Sequence, residues 1–269
     1  VRGAGRGVFL TALQPIPSGL DWAAVVMTAN SASRVAALRA AGVRDIYVWD
    51  HPRSWRPETW RDGLARMTAF ARMHRLAGVI ADAESGWESA DEADAIELGR
   101  ALQLTASEFD VGFTSYPGFR FVRTIGRAAP SVWGAVQIYN RGSRSAAVFA
   151  QWLAAFRLGF PSTIVIAATF VPDTVAGQDL STRAGYRAYL GRLPRSYGLA
   201  TYGAGPGYMA EEIASYRPVE SSAMLGPVIG LASAWLPGSI PLPVILTMVI
   251  IAAIAIGWLL WSAIRKATQ

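Results

Sequence analysis

From Ser221 to Ile264 the chain carries no charged residue, and this single feature divides it into two unlike parts. Within that stretch Val244–Ala263 is twenty consecutive uncharged residues, nearly all apolar. As a helix rising about 1.5 Å per residue it would span about 30 Å, the thickness of a bilayer's hydrocarbon core. Trp258 and Trp261 near its end, followed by Arg265 and Lys266, match an aromatic belt and a basic interfacial anchor. The expectation is a transmembrane helix over 244–264 with a basic tail over 265–269; the alternative is a buried core helix. Residues 219–243 are apolar but broken by Gly226, Pro227, Gly230 and Pro237, and read as a linker or interfacial segment, or as one arm of a helical hairpin. A single span with the basic tail inside places the preceding domain outside the membrane; a hairpin would return both ends to one side.

Residues 1–218 have a different rhythm. Short apolar, β-branched or aromatic runs recur at Val8–Leu13, Ala23–Ala29, Asp45–Asp50, Gly78–Glu84, Asp110–Tyr116, Trp133–Asn140, Ser162–Phe170 and Tyr197–Tyr202. Helical spacing separates most of them, over Ser33–Ala41, Pro57–Arg75, Ser89–Leu104, Ser145–Leu158 and Ser181–Leu193, with a last helix over Gly207–Ser215. Asp91, Glu92 and Asp94 suit the start of the third helix. The stretch between Pro117 and Trp133 reads as an irregular connection. Eight strands alternating with helices predict an α/β fold, a closed (β/α)8 barrel of the TIM type. An open doubly wound sheet is the alternative, and Gln14-Pro-Ile-Pro-Ser stands where that fold would carry a glycine-rich phosphate loop.

A hydrophobic fraction of 52% supports a large core. The net charge of +6 comes from arginines scattered along the chain, with Lys266 the single lysine among 25 basic residues, so it reads as a solvated surface and not as a nucleic-acid groove. There is no cysteine, and His51 and His74 form no ligand spacing, so neither a metal nor another cofactor is expected. The apolar run at Val8–Leu13 is too short for a secretory signal.

In a barrel, chemistry collects where the strands end at their carboxyl side. Those ends offer Gln14, Asn30, Asp50, Glu84, Tyr116, Gln137, Tyr139, Asn140, Phe170 and Tyr202, with Trp22, Trp49, Trp55 and Trp87 close by in sequence. Carboxylates, amides and aromatic rings are the lining of a sugar cleft more than of a phosphate site. Asp82 and Glu84, two apart on one strand, point the same way about 6 to 7 Å apart, and a carboxylate pair can tune the proton needed to cut a glycosidic bond. Core packing is the competing reading for the tryptophans and tyrosines, and turn formation for the asparagines. Asp173 and Asp179 read as turn and cap residues.

Asp82-Ala-Glu84 after the fourth apolar run, Tyr116 ending the fifth and Trp133-Gly-Ala-Val-Gln-Ile-Tyr139 on the sixth resemble the muramidase-type glycoside hydrolase barrels, family 25-like, and related glycoside-hydrolase-like domains of phage and actinobacterial proteins. The resemblance covers about Val8 to Pro218. It implies Glu84 as general acid and Asp82 as its electrostatic partner or the group that positions a substrate acetamide. Asn30, Asp50, Trp87, Tyr116, Gln137, Tyr139 and Tyr202 would line the sugar site. Chitinase-like barrels share the acidic glutamate on the fourth strand. The muramidases also carry an aspartate ending the first strand, where this chain has Leu13-Gln14, with Asp50 as a substitute. The expected function is a membrane-anchored hydrolase of cell-wall peptidoglycan, a phage lysis or entry factor. The alternative is a non-catalytic glycan-binding or structural barrel of a virion or envelope complex. Expected partners are peptidoglycan or another glycan, the lipid bilayer through 244–264, and virion or envelope proteins.

Overall fold

The computed structural model describes residues 5–10, 19–51, 54–138, 146–167, 174–175, 178–179, 182–193, 198–202 and 207–215. The chain divides into units 1–219 and 220–269, and every described residue lies in the first. Among the described residues no helix is long and apolar enough to cross a membrane. The expected span at Val244–Ala263 lies outside them, as does the 219–243 segment.

Eight parallel strands close into a barrel, which excludes the open sheet. They are β1 (Gly5–Leu10), β2 (Trp22–Val26), β3 (Asp45–Trp49), β4 (Gly78–Asp82), β5 (Asp110–Ser115), β6 (Trp133–Ile138), β7 (Thr163–Ala167) and β10 (Gly198–Tyr202). The short pair β8 (Thr174–Val175) and β9 (Gln178–Asp179) forms an antiparallel hairpin where the sequence reads as a loop. The helices are α1 (Ser31–Ala40), α2 (Trp60–Met73), α3 (Glu92–Thr105), α4 (Val122–Ala128), α5 (Ala146–Arg157), α6 (Arg183–Leu190) and α7 (Gly207–Ser215). Two expectations are corrected here. The first strand begins at Gly5 and not at Val8, and the connection before Trp133 contains α4.

Local chemistry sets several boundaries. Asp91 and Asp94 form a reciprocal capping box at the start of α3, satisfying N–H groups that the first turn leaves free. Helix α1 stops at Gly42, whose φ of +77° lets Val43 N–H reach back to the Leu38 carbonyl at 3.1 Å.

Alternation along the strands separates two cores. Outward residues such as Val25, Val48, Val79, Val111 and Phe113 pack under the helices. Phe9, Trp22, Tyr47, Trp49, Ile80, Trp133, Ile164 and Ile166 fill the barrel itself. Three of these, Trp22, Tyr47 and Trp133, lie with ring centroids 5.8–6.0 Å apart. Two glycines make the room. A Cβ on Gly7 would lie 2.0 Å from the Trp22 ring, and one on Gly112 would lie 2.5 Å from the Trp133 ring. Gly5-Arg-Gly7 therefore belongs to a strand despite its turn-like composition. These aromatic rings plug the barrel's base, where the strands begin; the polar residues lie toward the mouth, where they end.

Candidate active site

Strand β4 carries Ile80 and Asp82 inward, while Ala83 between the two carboxylates packs into the outer core. The alternation continues two residues past the strand, so the half-buried Glu84 follows Asp82 at the mouth. A single 3-10 turn, Ser85–Trp87, then fixes the exit: Trp87 N–H donates to the Glu84 carbonyl at 3.0 Å. The Trp87 indole is fully buried and donates its N–H to the Trp55 carbonyl. Burial anchors the turn that holds Glu84, and it corrects the expectation of Trp87 as a sugar platform. Trp22, Trp49 and Trp55 are likewise fully buried.

Asp82 is 2% exposed. Its Oδ1 accepts from the Gln137 side-chain amide at 3.1 Å, and the same amide reaches Thr114 Oγ1 at 3.4 Å. The register places Thr114 directly beside Asp82 on the neighbouring strand. Burial, reinforced by the nearby Glu84 charge and opposed by the Gln137 hydrogen bond, pushes the Asp82 carboxyl well above the ordinary carboxylate range. Tyr116, half-buried at the end of β5, donates to Glu88 Oε1 at 3.4 Å. Its phenol is raised by burial first and then by the Glu88 and Glu84 charges. Asp82, Glu84, Gln137 and Tyr116 are thus brought together, with Thr114 and Glu88 added by the structure.

Of the remaining candidates, Asp50 and Asn30 make no hydrogen bond to this cluster. Asp50 is buried at the end of β3, where Arg66 Nη2 lies 3.2 Å from one oxygen and the His51 N–H donates to the other at 2.8 Å. Asn30 is exposed and takes the N-cap position of α1, without a side-chain capping bond. Tyr202 ends β10 beside Phe9 in register. Tyr139, Asn140, Phe170 and Gln14 lie outside the described residues. Among those described, no cluster of His, Asp and Glu side chains could hold a metal ion.

The raised Asp82 carboxyl has a consequence for stability. The folded state keeps a proton that the unfolded chain releases near pH 3.8, so folding is weakened as pH rises above that value and through the folded-state titration. Asp82→Asn keeps the oxygen that accepts from Gln137 and removes the group whose ionisation burial penalises. It is expected to melt at a higher temperature than the parent at pH 7 and to lose that advantage below about pH 3.8, as followed by thermal unfolding at both pH values. A variant that melts lower than the parent at pH 7 would contradict the burial account.

No protein-family model matches the chain, and no characterised sequence matches it. Its fold is shared with solved structures. The apo endo-β-N-acetylglucosaminidase from Cordyceps militaris superposes with a TM-score of 0.53 at 11% identity, over 79% of this chain and 90% of that one. A variant of the same enzyme, in complex with fucosyl-N-acetylglucosamine-Asn, gives 0.54 at 12% identity over the same shares. That variant replaces an aspartate and the glutamate two positions after it by their amides. A family 2 AP endonuclease from Brucella melitensis gives 0.49 at 15% identity, over 79% of this chain and 99% of that one. The likeness is one of fold: a TIM-type barrel of the architecture that a glycoside hydrolase uses.

Proposed function

We propose that this chain is a membrane-anchored glycan hydrolase that cuts cell-wall peptidoglycan, with Glu84 as the general acid and Asp82 as the group that holds the substrate's acetamide. One observation carries the reading: a D-x-E pair at the mouth of a closed barrel, its buried aspartate fixed by Gln137. The fold neighbour acts on N-acetylglucosamine-containing glycan, and its amide-substituted pair has the spacing of Asp82 and Glu84. A role as a phage lysis or entry factor rests on the sequence resemblance and on the apolar tail.

The geometry favours a particular course. Glu84 and Asp82 leave one strand on one side, so they approach the scissile bond from the same face. Glycosidases that use an enzyme nucleophile or base set the second carboxylate on the opposite face. Asp50, the other carboxylate at the carboxyl end of a described barrel strand, is engaged by Arg66. The substrate's own acetamide oxygen then serves as the nucleophile: Glu84 gives its proton to the leaving oxygen as that oxygen takes the bond's electron pair, and the acetamide oxygen bonds to the anomeric carbon. Asp82 positions the acetamide, a carboxyl oxygen accepting from the acetamide N–H as positive charge develops there. Water, deprotonated by Glu84, then opens the ring so formed.

The test is clearing of a suspension of purified cell walls by the full chain in detergent, with reducing ends counted alongside. Clearing with release of reducing ends is the expected result. A second reading, a glycan-binding barrel without catalysis, is favoured by the Asp50–Arg66 ion pair and by Gln14 where the muramidases place an aspartate. Retained binding of wall fragments with no reducing ends would decide for it.

A further inference from the structure

We propose that the base of the barrel, where its strands begin, is a docking surface for an anionic lipid bilayer. The helices run back against the parallel strands, so their carboxyl ends gather at the base. The large apolar side chains that stand exposed among the described residues are all there: Met73 ends α2 at 77% exposure, Leu104 lies in the last turn of α3 at 76%, and Leu158 follows α5 at 60%. They share one rim. The Arg72–Glu108 ion pair links the end of α2 to the segment after α3. Gln103 joins Ser131, and Gly126 of α4 packs against the Gly159 backbone next to Leu158.

The charge around these side chains is predominantly positive. The rim carboxylates Asp21, Asp45 and Glu108 each have their own arginine, Arg6 at 2.9 Å, Arg44 at 2.9 Å and Arg72 at 2.6 Å, and the half-buried Asp110 at the start of β5 accepts from the Tyr47 hydroxyl at 2.7 Å. Arg39, Arg75 and Arg127 are exposed beside them with no carboxylate partner among the described residues; Arg39 donates to the carbonyls of His74 and Arg75. Cations at helix carboxyl ends complement the helix dipoles. A dipole does not call for exposed methionine and leucine next to them, whereas a headgroup layer over acyl chains takes both. Arg75 also sits at φ +49°, a left-handed position that glycine fills at less cost, so local backbone preference does not account for it.

The last described helix ends on this side of the barrel. Ser215 closes α7, and the Ala214 carbonyl accepts from Arg6 Nη1 at 2.9 Å, beside the start of β1. The apolar sequence read as a membrane span lies further along. Docking by the base would turn the mouth, with Asp82 and Glu84, away from the lipid and toward the wall. The inference deepens the membrane placement proposed above and rests on it, and its test is independent of hydrolysis.

Because the chain has no cysteine, one environment-sensitive dye can be attached to the full chain through Leu104→Cys at the base or Ala29→Cys in the exposed turn at the mouth. Each labelled chain is reconstituted into vesicles of phosphatidylcholine alone or mixed with phosphatidylglycerol. The expected result is a blue shift and brightening of the Leu104→Cys dye in anionic vesicles only, reversed by salt near 1 M, with the Ala29→Cys dye unchanged. Arg75→Gln and Arg127→Gln should each lower the docked-to-undocked ratio by roughly fivefold. A Leu104→Cys dye that stays water-exposed in both lipids overturns the proposal while leaving the anchor in place. Equal burial in neutral vesicles also overturns it, in favour of an apolar occupant such as a second copy. A chain that does not float with vesicles overturns it too, and wall clearing is unaffected by any of these outcomes.

Discussion

Glu84→Gln is expected to lower the rate of reducing-end release from peptidoglycan by about 10²- to 10⁴-fold, the contribution of a positioned general acid. Binding and fold should survive. The side chain is half-buried just beyond the strand, and glutamine matches its shape. The turn that follows is held by the Trp87 backbone and by the Trp87 indole, not by the Glu84 carboxylate. Removing the Glu84 charge also takes away one of the influences that raise the Asp82 carboxyl, so the variant should not unfold earlier than the parent at neutral pH. Rates measured beside thermal unfolding and wall-fragment binding separate these effects. Parent-like turnover by Glu84→Gln would remove Glu84 as the acid.

The second large effect concerns the base of the barrel. Trp133→Ala is expected to cost about 3–5 kcal/mol of stability, because the ring packs against Trp22 and Tyr47 and no backbone can collapse into the space it leaves inside a closed barrel. Trp133→Phe should be much milder. The Trp133 indole N–H is buried without a hydrogen-bond partner, so phenylalanine removes a dissatisfied group along with part of the ring. Denaturant unfolding of both variants provides the measurement. Similar losses for the two would mean that the N–H matters more than the volume. The polar cluster at the mouth lies two layers above Trp133 on β6, through Gln137, so a loosened base should also loosen the amide that holds Asp82.

The barrel was legible because a strand buried on both faces announces itself by composition. Asp45–Trp49 and Trp133–Ile138 fall within one or two residues of the runs read from the sequence, and the acidic start of α3 is the capping box it resembles. The misreadings have physical causes. Gly5 and Gly7 look like chain breakers, yet Gly7 is what Trp22 needs in order to lie across the barrel. Helix α4 is seven residues long between Pro117-Gly118 and Pro130, too short for its periodicity to stand out.

The site was legible only in part, for a related reason. Asp82 and Glu84 could be placed on one face by the two-residue alternation alone. Thr114 could not, since its role depends on the β4–β5 register, which no local pattern states. The tryptophans were ambiguous because an indole at a strand end has the same letters whether it turns to the core or to solvent. Trp87 turns inward and helps fix Glu84 from behind. Asp50 illustrates the converse, a carboxylate at the expected strand end that an arginine from α2 has engaged.

The most direct measurement follows the anomeric configuration of the product. Proton NMR of a short N-acetylated wall glycan, recorded as the full chain acts on it and before the new reducing end equilibrates, reports the configuration of that end. Catalysis by Glu84 and Asp82 from one face, with the substrate's acetamide as nucleophile, requires two displacements and therefore retention. The expected result is a new reducing end with the configuration of the bond that was cut. Inversion, or no new reducing end at all, would contradict the account.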